Sequence, residues 1–194
     1  MRPKKILVAC EYSGKIRDAF IKAGHNAVSC DLLPSESSFG PHIQGDVTPL
    51  LGEEWDLVVA HPECRYLANS GVKHLYLEPG RFILMAQAAE FFKKCLLANS
   101  PRICVENPIP HGYAMVKIKK PYTQIIQPWQ FGHGETKATC LWLKGLPNLQ
   151  PTNIVSGRDQ RIHLMPPGED RGKLRAETYS GIADAMASQW SYIL

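Results

Sequence analysis

The sequence lacks several features that would place it in a class at once. It has no run of roughly 18 apolar residues, which a membrane-spanning helix needs. The apolar stretch after its first lysines is too short for a secretory signal peptide. Its six cysteines include no Cys-x-x-Cys pair, so neither a structural zinc site nor a disulfide framework is expected. These gaps predict a cytoplasmic protein with no metal site and no membrane partner.

The composition is sufficient for one hydrophobic core. The chain has 194 residues, of which 44% are hydrophobic, and this predicts a single domain over residues 1–194. A net charge of +4 is a mild bias toward anionic ligands and is too small to establish nucleic-acid binding. Residues 148–175 stand apart as a basic, turn-rich excursion without hydrophobic periodicity.

Short apolar strands alternate with helical patterns along the chain. Strands are predicted at 5–10, 27–30, 57–60, 103–105 and 139–143, and helices at 14–23, 81–97 and 177–192. This alternation predicts an α/β fold, with a mostly parallel sheet covered by helices on both faces. In such sheets, ligands bind beyond the carboxyl ends of the strands.

The ends of the first two predicted strands carry polar residues that a core would not select. Tyr12, Ser13 and Gly14 follow the first strand, where a glycine lets backbone approach a ligand, although the tripeptide by itself favours an ordinary strand-to-helix turn. Asp31 ends the second strand, where an acidic residue can accept from ribose hydroxyls or stand in a turn. Asp46, after Gly45, is either an acceptor for a purine amine or a turn residue.

Cys64 follows the third predicted strand after His61, Pro62 and Glu63. A packed cysteine is the usual interpretation of a lone thiol, but a core thiol needs neither a proline nor a charge beside it. Glu106 ends the next strand, and adjacent parallel strands would bring it near Cys64. A nucleophile beside a carboxyl group is a catalytic arrangement.

Residues 129–137, WQFGHGETK, precede the last predicted strand. Their two glycines, one lysine and two aromatic residues predict a loop shaped around a planar or anionic ligand. A surface hairpin is the competing interpretation. The segment therefore adds a candidate without deciding its role.

Five stretches of the chain resemble the motifs of one family, in the same order. His61-Pro62-Glu63-Cys64 and Glu106-Asn107-Pro108 are similar to the Pro-Cys and Glu-Asn-Val motifs of the S-adenosylmethionine-dependent DNA cytosine-5 methyltransferases. The others are Tyr12-Ser13-Gly14 for Phe-Ser-Gly, Gly45-Asp46-Val47 for Gly-Asp-Ile, and, more weakly, the stretch around Ser180-Gly181 for Gly-Asn-Ser-Val. The whole chain resembles a compact type that phages and prophages often encode, which would place it in the host cell cytoplasm.

The resemblance implies a Rossmann-like methyltransferase fold and a role for each matching residue. Cys64 would be the nucleophile at C6 of cytosine, and Glu106 would contact N3 and the amino group. The implied cofactor, S-adenosyl-L-methionine, would be bound by Tyr12, Ser13, Gly14, Asp31, Asp46, Ser180 and Gly181. Implied substrate contacts are Pro62, Asn107, Lys137 and Thr139. The chemistry requires Cys64 to ionise and Glu106 to hold a proton, so both pKa values must be tuned by their surroundings.

The chain departs from the family pattern at three places. Glu63 stands between the proline and the cysteine, where an acidic side chain directed at the sulfur would raise the thiol pKa. Lys137 and Thr139 replace an arginine pair. The space between Thr139 and Thr178 is too short for the family's target-recognition domain, which flips a base out of duplex DNA.

Three functions compete on this evidence. The first is C5 methylation of cytosine, in DNA or as a free nucleotide such as dCMP, with help from a partner protein or a second copy of the chain. The second is a catalytically silent module that binds cofactor or nucleotide. The third is a non-catalytic DNA-binding protein that uses the basic 158–175 segment.

Overall fold

One sheet and its flanking helices make up the chain, in a computed structural model that describes residues 2–166, 168, 171–176 and 178–194. The strands of the described part are β1 (Lys5–Ala9), β2 (Asn26–Asp31), β3 (His42–Gln44), β4 (Leu57–Ala60), β5 (Ile103–Pro108), β6 (Gln124–Ile126) and β7 (Thr139–Lys144). The helices are α1 (Lys15–Lys22), α2 (His74–Leu77), α3 (Arg81–Leu96), α4 (Gly112–Ile118), α5 (Arg161–Leu164), α6 (Arg171–Ala176) and α7 (Ser180–Trp190).

The strand order across the sheet is β3-β2-β1-β4-β5-β7-β6. Strands β1 to β5 run parallel, whereas β7 is antiparallel to both β5 and β6. The order reverses between β1 and β4, which is where open α/β sheets form a crevice for ligands. This is a Rossmann-like α/β fold with a mostly parallel sheet, and the carboxyl ends of β1, β2, β4 and β5 share one edge.

Helices cover both faces of the sheet, as the alternating pattern predicted. On one face, Val58 and Val105 pack in a cluster with Phe92 of α3. On the other face, Val59 packs with Phe20 of α1 and Trp190 of α7. Because both faces of β4 are covered, all four of its residues are apolar and buried. None of the helices in the described ranges combines the length and apolar character needed to span a bilayer.

The structure corrects several sequence-based boundaries. Two strands were missed, β3 and β6, and the last predicted strand, β7, runs antiparallel to its neighbours. The 148–175 segment is not wholly irregular, because it contains the short helices α5 and α6. The helix predicted at 177–192 is α7, Ser180–Trp190, followed by a 3-10 turn, and position 177 lies outside the described residues.

Candidate active site at the carboxyl edge of the sheet

The register between β4 and β5 places His61 beside Glu106. Ala60 pairs with Val105, so the next residue of each strand lies side by side at the carboxyl edge. There, Nδ1 of His61 and Oε2 of Glu106 are 2.9 Å apart. Cys64 follows three residues later on the loop that leaves β4. Both side chains of the pair are mostly buried, with 12% of His61 and 19% of Glu106 exposed.

Glu106 is held as a carboxylate by its neighbours. Burial by itself would raise the pKa of this group, but the hydrogen bond and charge of His61 act against it. The charge of Lys137 and a hydrogen bond from Thr139 add to the same effect, and the pKa of Glu106 is lowered overall. Lys137 and Thr139 come from the start of β7, which pairs antiparallel with β5 and so reaches this edge.

Cys64 is half-buried at the start of a turn. Its carbonyl accepts hydrogen bonds from the backbone N–H groups of Leu67 (3.0 Å) and Ala68 (2.9 Å). Burial, followed by the negative charge of Glu106, raises the pKa of the thiol, and Lys137 offsets this only in part. The electrostatic effect of Glu106 on the thiol supports the predicted proximity of the two residues.

The two pKa shifts run opposite to those that the adduct chemistry needs. The free protein holds a neutral thiol at Cys64 and a carboxylate at Glu106, whereas attack on cytosine requires a thiolate and a carboxylic acid. Both arrangements contain one proton. The arrangement that the implied chemistry requires therefore differs from that of the free protein only in which of the two side chains, Cys64 or Glu106, holds the proton.

Glu63 is exposed, although it is adjacent to Cys64 in the chain. The charged groups that contribute most to the thiol pKa are Glu106, Lys137 and Arg175. The inserted glutamate is therefore directed toward solvent and is not what raises the thiol pKa.

Asn107 anchors the Cys64 loop to β5. Its Nδ2 donates to the carbonyl of buried Pro62 at 3.2 Å, and only 1% of the residue is exposed. Its Oδ1 has no partner among the described residues, and the same is true of Nε2 of His61. Buried polar atoms are normally paired, so two unpaired ones at one edge indicate a place that a ligand or water completes.

A small cleft opens above the His61–Glu106 pair. Its lining consists of His61, Glu106, Lys137, Thr139, Thr178, Tyr179, Ile182 and Met186. Its volume of about 20 Å³ admits one water molecule and is too small for a pyrimidine ring. A ligand the size of a base can enter only if lining side chains such as Tyr179 and Lys137 move.

A larger polar cleft adjoins the first and shares Thr178 and Tyr179 with it. Its volume is about 190 Å³, and Glu135 lies in its wall. The Glu135 carboxylate accepts from the Tyr179 hydroxyl at 2.8 Å and from Nε of Arg161 at 3.1 Å. Residues 129–137 lie in the loop that joins the antiparallel neighbours β6 and β7, and this loop begins in a short 3-10 turn, so the segment is both a cleft-lining loop and the connection of a hairpin.

Ser180 and Gly181 lie at the start of α7, at the edge of this larger cleft. The backbone N–H of Gly181 donates to Nε2 of His133 at 3.1 Å. A Cβ atom at position 181 would lie 1.9 Å from the carbonyl oxygen of Phe131, so glycine is required there by close backbone approach. The packing of α7 alone therefore accounts for Gly181.

The turn after β1 is closed by its own residues. Glu11 is buried and accepts from the backbone N–H of Ile16 at 2.7 Å, so it caps the start of α1. The hydroxyl of buried Ser13 donates to Glu11 at 3.3 Å. Tyr12 is half-buried, and its carbonyl accepts from the N–H of Glu36 at 2.9 Å. Burial raises the pKa of Glu11, against an opposing effect from the charge of His61.

Gly14 is explained by packing against Arg17. Its φ of 76° is left-handed, and a Cβ atom would lie 2.5 Å from Nη2 of Arg17. Arg17 is fully buried and donates to Asp18, Ser29 and the carbonyl of Ser37. The glycine therefore makes room for a buried arginine that fastens residues 29–41 to α1.

Asp31 and Asp46 lie at the ends of neighbouring strands. The backbone N–H of Gly45 donates to the carbonyl of Asp31 at 2.9 Å, which holds the two segments together. The Asp31 carboxylate is half-buried and accepts from the N–H of Leu33 at 2.9 Å. Asp46 is exposed, and the backbone N–H and hydroxyl of Thr48 lower its pKa.

The basic 158–175 segment uses two of its cations internally. The guanidinium of Arg158 lies 4.0 Å from the centre of the Trp129 ring and donates to the carbonyl of Val155 at 2.7 Å. Arg161 pairs with Glu135. These contacts reduce the charge that the segment presents to DNA. The side chain of the residue at 173 lies outside the described parts of the chain.

Two residues of the edge were not predicted as site residues. His61 pairs with Glu106, and Tyr179 lines both clefts. A signal for His61 existed in the sequence. His61 directly follows the predicted strand 57–60, just as Glu106 directly follows the predicted strand 103–105, so the two residues are level at the edge of the sheet. Tyr179 stood within the weakest of the five motifs and had no independent signal.

No protein-family model matches the chain, and no curated protein matches it. Solved structures with a similar fold include an Entamoeba histolytica methyltransferase, EhMeth (TM-score 0.48, 13% identity, 84% of this chain and 59% of that one). A second is a protein provisionally described as a DNA modification methyltransferase, encoded within an Escherichia coli prophage (TM-score 0.47, 12% identity, 84% and 55%). A third is the Schizosaccharomyces pombe Dnmt2 methyltransferase (TM-score 0.44, 13% identity, 83% and 54%). This chain spans less than two thirds of the length of each.

Proposed function

We propose that this protein is an S-adenosylmethionine-dependent methyltransferase that acts on C5 of cytosine, in DNA or as a free nucleotide such as dCMP. The observation that carries the proposal is the convergence of a thiol and a carboxylate at the carboxyl edge of the sheet. Cys64 lies on the loop that follows β4 and Glu106 lies on the adjacent strand β5, and the charge of Glu106 acts on the Cys64 thiol. The two unpaired polar atoms beside them, on His61 and Asn107, mark the place for a polar ligand.

In the proposed reaction, the Cys64 thiol gives up its proton and forms a bond with C6 of cytosine. Glu106 receives a proton and passes it to N3, which relieves the charge that builds on the ring. C5 thereby becomes an enamine carbon that would take the methyl group as the bond from that methyl to the sulfonium sulfur breaks, leaving the thioether. Loss of the C5 proton to solvent then breaks the bond from sulfur to C6 and restores the thiolate, and N3 returns its proton to Glu106. Asn107 keeps Cys64 in place through its bond to the Pro62 carbonyl.

The residues at the β1 and β2 ends fit the cofactor by the chemistry of their donors and acceptors. Asp31 at the end of β2 suits ribose hydroxyls, and Asp46 after β3 suits an adenine amine. Tyr12, Ser13 and Gly14 would lie along the rest of the molecule, with Ser180 and Gly181 at its far side. S-adenosylmethionine supplies an electrophilic methyl group when bound.

Two experiments test the proposal in sequence. Calorimetric titration with S-adenosylmethionine should give a measurable Kd, and no binding at millimolar cofactor would refute the cofactor assignment. Incubation with labelled cofactor and dCMP, single-stranded DNA or duplex DNA should then label one of the three. Cys64→Ala should abolish labelling, while Cys95→Ala, which changes a buried thiol on α3, should retain it.

A second candidate function is favoured by one observation. The thiol of Cys64 is neutral and Glu106 is ionised in the free protein, as expected for a module that binds a nucleotide without attacking it. Such a module would bind cofactor and show no turnover. It would also form no covalent adduct with a 5-fluorocytosine substrate, whereas the methyltransferase would be trapped as one in the presence of cofactor.

A further inference from the structure

His61 occupies a position at the edge of the sheet that none of the roles above uses. It is the first residue after β4, and its backbone N–H donates to the carbonyl of Ala9 on β1 at 2.9 Å. Its backbone is therefore held beside β1, and its charge acts on the Glu11 carboxylate of the β1–α1 turn. Nδ1 meets Glu106 at 2.9 Å, while Nε2 is buried without a partner among the residues described.

Charged and titratable groups reach the His61–Glu106 pair from every element packed around it. From the β1–α1 turn comes the Glu11 carboxylate, and from the His61 loop itself comes the Cys64 thiol. Lys137 and Tyr179 line the cleft above the pair, and Arg175 of α6 acts on the thiol. Among the described residues, His61 is the residue whose ring nitrogen forms a hydrogen bond with the Glu106 carboxylate.

The geometry of the pair defines which atom donates. A carboxylate oxygen can only accept, so Nδ1 of His61 must carry the hydrogen and donate it to Oε2. This bond is favourable when Glu106 is ionised and is weakened when Glu106 takes a proton, because the carboxylic acid is a poorer acceptor. His61 thus opposes protonation of Glu106 through a direct contact.

A cytosine base makes the opposite demand on Glu106. On its pairing edge, N3 is an acceptor and the N4 amino group is a donor. A carboxylate that meets this edge can accept from N4, but its second oxygen faces the lone pair of N3. One proton placed between that oxygen and N3 turns the repulsion into a second hydrogen bond.

We propose that His61 is a positioning residue that holds Glu106 as a carboxylate, so that Glu106 takes up one proton as the site binds a cytosine base. The proposal rests on the proposed function, since it assumes that cytosine is the ligand. It adds a role for a residue to which the motifs assign none and states that base recognition is coupled to protonation of Glu106. The proton comes either from solvent or from the Cys64 thiol, and Glu106 gains one proton in either case.

Calorimetry with dCMP in buffers of different ionisation enthalpy measures this proton directly. The wild-type protein should take up about one proton per dCMP between pH 5.5 and 8 if solvent supplies it, after the nucleotide's own protonation is subtracted. If Cys64 supplies it, uptake in the wild type should be near zero and should rise to about one in Cys64→Ala. The experiment is therefore carried out with both the wild-type protein and the Cys64→Ala variant.

Variants of His61 should change the pH at which this uptake is lost. In His61→Leu the hydrogen bond is absent, burial dominates, and Glu106 in the free protein is protonated at higher pH than before. In the Cys64→Ala background, His61→Leu should therefore lose at least about half of the uptake at the acid end of the series and keep it at pH 8. His61→Asn places an amide nitrogen near the position of Nδ1 and should restore much of it.

A matched control exists on α2. His74 pairs through Nδ1 with Glu78 at 2.8 Å, the same kind of contact in an exposed setting away from the cleft. His74→Leu should leave proton uptake unchanged. Equal uptake curves for His61→Leu and the parent protein would overturn the proposal, as would the absence of uptake in both backgrounds.

A titration without ligand separates this inference from the proposed function. The carboxyl carbon of Glu106, followed by NMR in glutamate-labelled protein, should titrate at higher pH in His61→Leu than in the wild type. If dCMP fails to bind, the cytosine nucleotide assignment is wrong, and this titration still tests the contact. An unchanged titration overturns the role of His61 whatever the ligand is. Thermal unfolding of each variant shows whether it is folded at the temperature of the measurement.

Discussion

The turn after β1 and the loop after β4 lie at the same edge of the sheet, but they differ in whether the protein pairs their buried polar groups. The turn after β1 satisfies its buried groups internally, since Glu11 caps α1 and Arg17 bonds to side chains and carbonyls of residues 18–41. The loop after β4 leaves Nε2 of His61 and the neighbouring Oδ1 of Asn107 without partners in the described chain. Buried polar atoms that the protein does not pair are retained where another molecule pairs them. The first turn is therefore complete within the protein, whereas the second has polar atoms that a ligand or water completes.

Arg17 is the residue of the β1–α1 region whose replacement should lower the stability of the protein most. The residue is fully buried, and Arg17→Leu would leave the buried Asp18 carboxylate without its ion pair while freeing residues 29–41 from α1. We expect a loss of about 3–5 kcal/mol in the free energy of unfolding. Urea denaturation measures it, with Arg65→Leu as an exposed control that should change stability by about 0.5 kcal/mol or less. A loss below about 1 kcal/mol for Arg17→Leu would show that the turn does not depend on this network.

Gly181→Ala tests whether the start of α7 is framework or cofactor site. The added methyl group would lie 1.9 Å from the Phe131 carbonyl, so α7 or the 131–133 loop must shift. We expect destabilisation by about 1–3 kcal/mol, even without cofactor. Gly112→Ala is the control, because a Cβ at the start of α4 meets nothing within 4 Å. If Gly181→Ala is as stable as wild type but binds S-adenosylmethionine poorly, the glycine serves the cofactor instead.

The reactivity of Cys64 should respond to Glu106. Burial and then the charge of Glu106 raise the thiol pKa, so alkylation by iodoacetamide should be slow at pH 7 and rise about tenfold per pH unit up to that pKa. Glu106→Gln removes the negative charge, which lowers the thiol pKa and should raise the rate at pH 8 by about two- to tenfold. Peptide mass spectrometry isolates the signal of Cys64.

Glu90→Gln serves as the control for this measurement. Glu90 is an exposed residue of α3 that pairs with Lys93, so its neutralisation alters the net charge by the same amount at a remote place. The alkylation rate of Cys64 in Glu90→Gln should match that in the wild-type protein. A rate for Glu106→Gln equal to that of Glu90→Gln would mean that Glu106 does not act on the sulfur.

The central strands of the fold were predictable, and the edge strands were not. A fully buried strand such as β4 is an uninterrupted apolar run bounded by polar residues, and its predicted limits are those observed. Strands β3 and β6 have three residues each, and β3 is largely exposed. Such segments carry neither an apolar run nor a long alternation, so their pairing is decided by tertiary contacts that a local pattern does not encode.

The positions of Cys64 and Glu106 at the carboxyl edge of the sheet were predictable, and their protonation was not. Cys64 and Glu106 stand at strand ends, which the pattern of apolar runs reveals. The pairing of Glu106 with His61 depends on the β4–β5 register, and the raised pKa of Cys64 depends on burial, so neither can be obtained from the order of residues. Gly14 has a packing role that the sequence does not reveal, since a Cβ atom there would lie against Arg17.

Glu63 gives the smallest expected effect and sharpens the chemical side of the comparison. It is adjacent to Cys64 in the chain, yet it is exposed and is not among the main charges that raise the Cys64 pKa. Glu63→Gln should therefore change the alkylation rate of Cys64 by less than about twofold and the free energy of unfolding by less than about 0.5 kcal/mol. A rise as large as that of Glu106→Gln would place the Glu63 carboxylate beside the sulfur in solution. The inserted glutamate would then be a cause of the neutral thiol, and the silent binding module would become the stronger of the two candidate functions.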